Sequence, residues 1–333
     1  MRPRFHPRLI NGPFEDPGLY IPFLFENRAV IFDLGDTLPL TARDLLKISH
    51  AFITHTHVDH FIGFDRILRI SLGREKKLHL YGPRGFFKNM EGKLAAYSWN
   101  LVDNYPYRLE LCLTEVRRDY LLTRECLCQN EFIPARKPVR TPYKDVIYEE
   151  PAFKISVAVL DHGIPCLGFA IKEHFHVNIN KDRLAALGLA TGPWLTDFKK
   201  ALYEGRDSES EFEVKAVGGQ AQRFRLADLA EQIALITPGQ KIAYIADVSY
   251  RPQNQQKIVS LAKDADHLYI EAAFLEAHKD IAAEKYHLTA RQAGTLAARA
   301  GAKQFTIFHF SPRYTDQEHL LQQEAREAYA LHR

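Results

Sequence analysis

The segment Thr54-His55-Thr56-His57-Val58-Asp59-His60 places three imidazoles and one carboxylate within six residues. Ser49-His50-Ala51-Phe52-Ile53 before it reads as a short buried strand, and residues 61–70 after it carry apolar side chains at helical spacing. The cluster therefore sits at a strand-to-helix turn, where the strand end and the first helical turn face a common point. Neutral imidazole and carboxylate suit zinc, manganese and iron, and four donors are enough to begin two adjacent sites. A lone histidine is most often structural, and histidine-rich tracts arise by compositional bias. Neither explanation accounts for a polar run bracketed by buried segments.

Outward from this turn, strand-like runs recur at 29–33, 51–54, 78–81, 153–160, 168–171, 241–246, 267–270 and 304–308. Helical patterns alternate with them at 83–97, 181–187, 193–203, 226–235, 254–263 and 289–300, with Gly301 placed as a helix C-cap. The alternation predicts layered α/β packing. Residues 100–150 break the rhythm and read as an insertion or flap: 109–116 reads as a strand, whereas 125–150 is rich in Pro, Arg, Lys and Tyr. There Arg136, Lys137, Arg140 and Lys144, interleaved with Tyr143 and Tyr148, fit a solvated loop by default and a nucleic-acid contact as the alternative.

A chain of 333 residues with 46% hydrophobic content can bury a sizeable core. A net charge of +3 permits a polyanionic partner without demanding one. Cys112, Cys126, Cys128 and Cys166 have neither C-x-x-C spacing nor the density of a disulfide scaffold, so reduced, buried thiols are expected. Residues 1–8 lack the apolar core of a secretory signal and no window is long enough for a membrane span, which predicts a cytoplasmic protein without a membrane partner.

Several strand-like runs end in a residue able to bind metal: 155–160 before Asp161-His162, 242–246 before Asp247, and 305–308 before His309. Loops beyond strand carboxyl ends are where α/β folds build their sites. With these endings, the motifs THTHVDH at 54–60, LDHGIPCLGFAI at 160–171, KIAYIADVS at 241–249, ADHLYIEAAF at 265–274, EKYHLTARQAG at 284–294 and FTIFHFSPRY at 305–314 resemble the metallo-β-lactamase superfamily and, within it, the ribonuclease Z family. The likeness runs from about residue 29 onward, and the motif order with its closing HFSPRY is far more specific than H-x-H-x-D-H alone.

The resemblance implies a metallo-β-lactamase fold, a four-layer αβ/βα sandwich, as a single hydrolase domain over 1–333 with an abbreviated arm near 172–215. It implies that His55, His57 and His162 bind one zinc ion, that Asp59, His60 and His309 bind a second, and that Asp247 bridges them, with manganese or iron as other occupants. It further implies catalytic roles for Asp59 as base, for His287 as the acid at the leaving oxygen and for Glu271 as its orienting partner. The implied reaction is endonucleolytic removal of 3′ trailers from precursor tRNA by hydroxide generated between the metals, by a homodimer. Arg313 either reaches a substrate phosphate or pins its loop by an ion pair.

Departures fall on substrate-facing parts. The family's Gly-Thr-Gly-rich opening is replaced by Leu9-Ile10-Asn11-Gly12-Pro13-Phe14-Glu15-Asp16-Pro17, and the long Gly/Pro-rich arm expected after Ile171 gives way to a short segment containing His174 and His176. The alternative function is therefore hydrolysis of a small phosphodiester, such as a cyclic nucleotide, by the same metals.

Overall fold

The computed structural model describes residues 4–24, 26–216 and 220–333. The chain divides into two compact units, the larger built from 5–147, 155–171 and 241–333 and the smaller from 148–154 and 172–240 with Arg4.

Two sheets are built mainly from the larger unit. The first orders its strands as they occur in the chain: Arg8–Leu9, Leu19–Pro22, Ala29–Phe32, Ile48–Phe52, Lys76–Gly82, Leu109–Val116, Tyr120–Leu127 and Val139–Pro142. Its middle strands are parallel and its flanks antiparallel. The second runs Phe305–Phe308, His267–Glu271, Lys241–Ile245, Pro165–Glu173, Phe153–Asp161 and Val146–Glu150. Every strand expected from the sequence lies in one of these sheets, and the stretch after 116 supplies the strands Tyr120–Leu127, Val139–Pro142 and Val146–Glu150.

Aromatic rings fill the space between the sheets, with Phe169 stacked on Phe32 at 5.5 Å and Tyr244 at 5.7 Å from Phe32. Helices cover the outer faces because their apolar stripes have nowhere else to go. Ala42–Lys47, Phe64–Ser71 and Phe86–Ala95 pack Leu45, Ile67, Leu68 and Met90 against Ala51, Leu80 and Leu111 of the first sheet. Pro252–Ala262, Ala290–Arg299 and Glu318–His332 pack Ile258, Leu296 and Leu321 against Ile245 and Ile270 of the second. The result is the helix, sheet, sheet, helix order of a four-layer sandwich.

Helix ends follow local chemistry. Thr289 caps Ala290–Arg299 in a reciprocal box with Gln292, and Gly301 takes the left-handed conformation at φ 65° that ends it. The helix expected over 83–97 starts only at Phe86, because Pro83-Arg84-Gly85 turns sharply with Gly85 at φ 96°. The pattern over 61–70 is broken at Gly63 into a single turn, Val58–Phe61, and the helix Phe64–Ser71. Where Ala290–Arg299 crosses Glu318–His332, a Cβ on Gly294 would collide with the Ala325 carbonyl. Gly294→Ala is thus expected to lower unfolding free energy by about 1–3 kcal/mol in urea titrations, as overpacking does; an unchanged midpoint would show that the helix pair shifts freely.

The smaller unit has its own core of Leu184, Phe198, Phe212, Leu229 and Ile233. It contains the helices Lys181–Ala186, Trp194–Tyr203 and Leu226–Ile233, the hairpin Glu211–Lys215 with Ala221–Arg225, and the paired strands Phe175–Ile179 and Ala234–Pro238. The helix expected to reach 235 stops at Ile233 because Ala234–Pro238 is taken up by strand pairing. The buried Glu173 carboxylate accepts from His176 Nδ1 at 3.0 Å and from Tyr203 Oη at 3.1 Å.

Candidate metal centre

Asp247 is the pivot of the site. It lies two residues beyond the strand Lys241–Ile245 and is 3% exposed, a burial that an uncompensated carboxylate does not tolerate. One of its oxygens, Oδ2, lies 3.7 Å from His55 Nε2 and 3.4 Å from His162 Nε2. The other, Oδ1, lies 3.4 Å from His60 Nε2 and 2.9 Å from His309 Nδ1. His57 Nδ1 is 2.9 Å from His55 Nε2, and Asp59 Oδ2 is 3.2 Å from His309 Nε2. The seven expected ligands thus gather as His55, His57, His162 and Asp247 on one side and Asp59, His60 and His309 on the other, each set with donor atoms within 4.8 Å of one another.

The donor set fits divalent cations. Among the described residues, His60 Nε2 and His309 Nδ1 are buried with no well-formed hydrogen bond, facing Asp247 Oδ1 at 3.4 and 2.9 Å. Orphans of this kind cost about 1–3 kcal/mol each, a penalty that coordination removes. Titration is split by environment: burial, with His60 next, holds His55 down at about 2, in the neutral form that ligates. Burial also opposes charging of His60, but Asp247 and Asp33 outweigh it and raise this imidazole to about 10, so a cation must displace its proton. Asp59 stays ionised at about 2, because its hydrogen bond to His309 and the charge of His60 overcome burial.

The loops that carry these groups approach each other closely. A Cβ on Gly35 would lie 2.6 Å from both the Asp59 and Pro17 carbonyls, so only glycine lets that loop pass beneath the helix of Asp59 and His60. Asp33, Tyr286 and His309 all adopt left-handed backbone, with φ of 58°, 59° and 63°. Such conformations cost about 1–3 kcal/mol each and concentrate where geometry is imposed by function.

Asp33 is the residue that sequence reasoning missed. It is fully buried; it accepts from Thr54 N at 2.7 Å and Thr54 Oγ1 at 2.9 Å, from Tyr244 Oη at 3.1 Å, and faces His60 Nδ1 at 2.9 Å. It therefore fixes both the strand end before His55 and the ring of His60 whose Nε2 turns to Asp247. Its signal was visible: 29–32 is another apolar run ending in an acid, like those before Asp161 and Asp247. Asp33→Ala is expected to weaken metal affinity by about 10–100-fold, the usual worth of an orienting partner, measured by competition with a chromophoric chelator; full affinity would show that His60 orients itself.

His287 and Glu271 also come together. Glu271 is fully buried, accepts from Val248 N at 2.8 Å and holds His287 Nδ1 at 3.1 Å. The far nitrogen of His287 lies 3.9 Å from Asp247 Oδ2. Burial acts to lower His287, but Glu271 and Asp247 raise it above its ordinary value. Arg313 is exposed in the short turn Pro312–Tyr314, and no ion pair holds it among the described residues. The four thiols are free and buried, and burial raises them, Cys126 to about 11; none joins a metal-binding group among the described residues.

Known proteins resemble this chain in sequence and in shape. Ribonuclease Z from Deinococcus radiodurans is 31% identical over 282 residues, 84% of this chain and 80% of its own length. Ribonuclease Z from Lactiplantibacillus plantarum is 28% identical over 316 residues, covering 91% and 84%. Among solved structures, the short form of human tRNase Z superimposes with a TM-score of 0.50 at 19% identity, covering 93% of this chain and 92% of that one. The metallo-β-lactamase fold protein YhfI from Bacillus subtilis gives 0.54 at 14% identity, covering 98% and 94%. No protein-family model matches. With the sandwich architecture and the seven-donor centre in place, the chain has the metallo-β-lactamase fold and belongs to the ribonuclease Z family.

Proposed function

We propose that this protein is a zinc-dependent endoribonuclease that removes 3′ trailers from precursor tRNA. The observation that carries the reading is the division of Asp247 between two donor groups in a chain of this family. Five imidazoles and two carboxylates form a donor set that zinc accepts readily. Two divalent cations in such a site supply Lewis acidity toward a phosphodiester and activate water at neutral pH.

The chain's own residues set up the rest. His55, His57, His162 and Asp247 would hold one cation, and Asp59, His60 and His309 with Asp247 the other. Asp59, whose side chain is 40% exposed, takes the proton of the attacking water on a carboxylate oxygen. Glu271 holds the Nδ1 proton of His287, which leaves Nε2 facing the site to protonate the departing ribose oxygen, so the cleaved tRNA ends in a 3′ hydroxyl. Arg313, exposed and without an ion pair among the described residues, lies four positions beyond His309 and supplies a guanidinium for substrate phosphate. No described helix is long and apolar enough to cross a membrane. A homodimer, a cytoplasmic location and an abbreviated arm near 172–215 complete the reading on the strength of the family.

Parallel assays on precursor tRNA with a 3′ trailer and on bis(p-nitrophenyl) phosphate test it. Cleavage of both, with a 3′ hydroxyl on the tRNA product, is the expected result. Hydrolysis of the small diester alone would replace the tRNA reading with that of a small-phosphodiester hydrolase.

A further inference from the structure

A groove of about 290 Å³ opens in the larger unit, lined among others by Arg84, Arg117, Arg118 and Tyr120 together with the apolar Val159 and Leu167. Its apolar lining is tied to the ligand loops. Leu167 N donates to Thr54 O at 2.9 Å, one residue before His55, and the same strand begins three residues after His162. Ligand and groove therefore share the same two strand ends.

The rim is held in shape before any ligand arrives. Glu115, 2% exposed, accepts from Gly85 N at 3.0 Å and Phe87 N at 3.1 Å and pairs with Arg117, which fixes the turn of Arg84 against the turn of Arg118. Tyr143 Oη donates to the Arg117 carbonyl at 2.6 Å, and the Arg140 guanidinium lies 3.9 Å from the Tyr120 ring centroid. Arg117 is spent on Glu115. Arg84 and Arg118 are exposed without an ion pair among the described residues, and the remaining acid on the rim is Asp119, so the groove keeps net positive charge. Guanidinium groups together with an apolar lining match a nucleotide, whose phosphate and ring need opposite surroundings. The volume is at the lower end of the roughly 300–1,000 Å³ of ligand pockets, which suits one unpaired nucleotide and not a duplex.

We propose that this groove is a subsite for a single-stranded nucleotide next to the scissile bond, with its phosphate on Arg84 and Arg118 and its ring over Val159 and Leu167. The inference rests on the precursor-RNA reading for its biological ligand but can be tested apart from it. Cytidine 5′-monophosphate is used as an inhibitor of bis(p-nitrophenyl) phosphate hydrolysis by the metal-loaded wild type, the double variant R84A/R118A and the charge reversal R118E. Both substituted positions are exposed, so folding is preserved. In the double variant the inhibition constant is expected to rise about ten-fold, the worth of roughly one charge-assisted contact, and in R118E at least as much. On precursor tRNA the double variant is expected to lose more in KM than in kcat, and its salt dependence to flatten by about one to two in slope.

The inhibition constant decides the groove: a value unchanged in both variants overturns the inference, whatever happens with RNA. The wild-type assay on precursor tRNA decides the function. A shifted inhibition constant with no tRNA cleavage would keep the nucleotide groove and remove the tRNA reading.

Discussion

Asp247→Ala is expected to lower kcat by at least about 10³-fold on precursor tRNA and on bis(p-nitrophenyl) phosphate alike, since metal charge stabilisation is worth several kcal/mol of barrier. Asp247 is the residue with an oxygen toward each donor group, Oδ2 to His55 and His162 and Oδ1 to His60 and His309. Its removal leaves the buried imidazoles without the negative charge that would offset two cations. Metal content measured on the purified variant should fall well below that of the wild type. Asp247→Asn keeps the volume and one oxygen but not the charge, so it should fall between the two. A variant lacking this carboxylate that kept both its metal and its rate on the small diester would show that the two donor groups work independently of it.

His287→Ala is expected to separate the two substrates instead of silencing both. Loss of a general acid costs about 10²–10⁴-fold when the leaving oxygen is basic, as a ribose alkoxide is. The p-nitrophenolate leaving group departs without a proton, so the small diester should lose less than about ten-fold. The expected division follows from Glu271 occupying Nδ1 of His287, although His287 also gathers with Asp247 and His309 as a possible metal-holding group. Glu271→Gln keeps a hydrogen bond but removes the carboxylate charge, and its effect on RNA cleavage should be smaller than that of His287→Ala. Equal losses on both substrates would mark His287 as a metal ligand, a role its distance of 3.9 Å from Asp247 Oδ2 makes a real competitor.

The metal loops were legible in the sequence because each ends an apolar strand with a residue of ligand type, a local pattern. Their convergence was not local: Asp59 and His309 meet across 250 positions of sequence, and only the motif order pointed to it. Asp33 escaped because its role lies in what it touches; nothing in Phe32-Asp33-Leu34 states that Thr54, His60 and Tyr244 will surround it. The C-terminal helix Glu318–His332 was hidden for a different reason. Its buried face, Leu321, Ala325 and Ala328, has helical spacing, but alanine carries little apolar signal. The hairpin Glu211–Lys215 with Ala221–Arg225 is charged on most of its surface, and its register depends on burying Phe212 and Val214 in the smaller unit's core.

Stripping the wild-type protein of metal with a chelator and titrating zinc back, while following release of the 3′ trailer from precursor tRNA, puts the dinuclear centre to its most direct test. Activity should vanish on chelation and return in full at about two equivalents of zinc per chain. Undiminished cleavage by protein shown to be metal-free would contradict it.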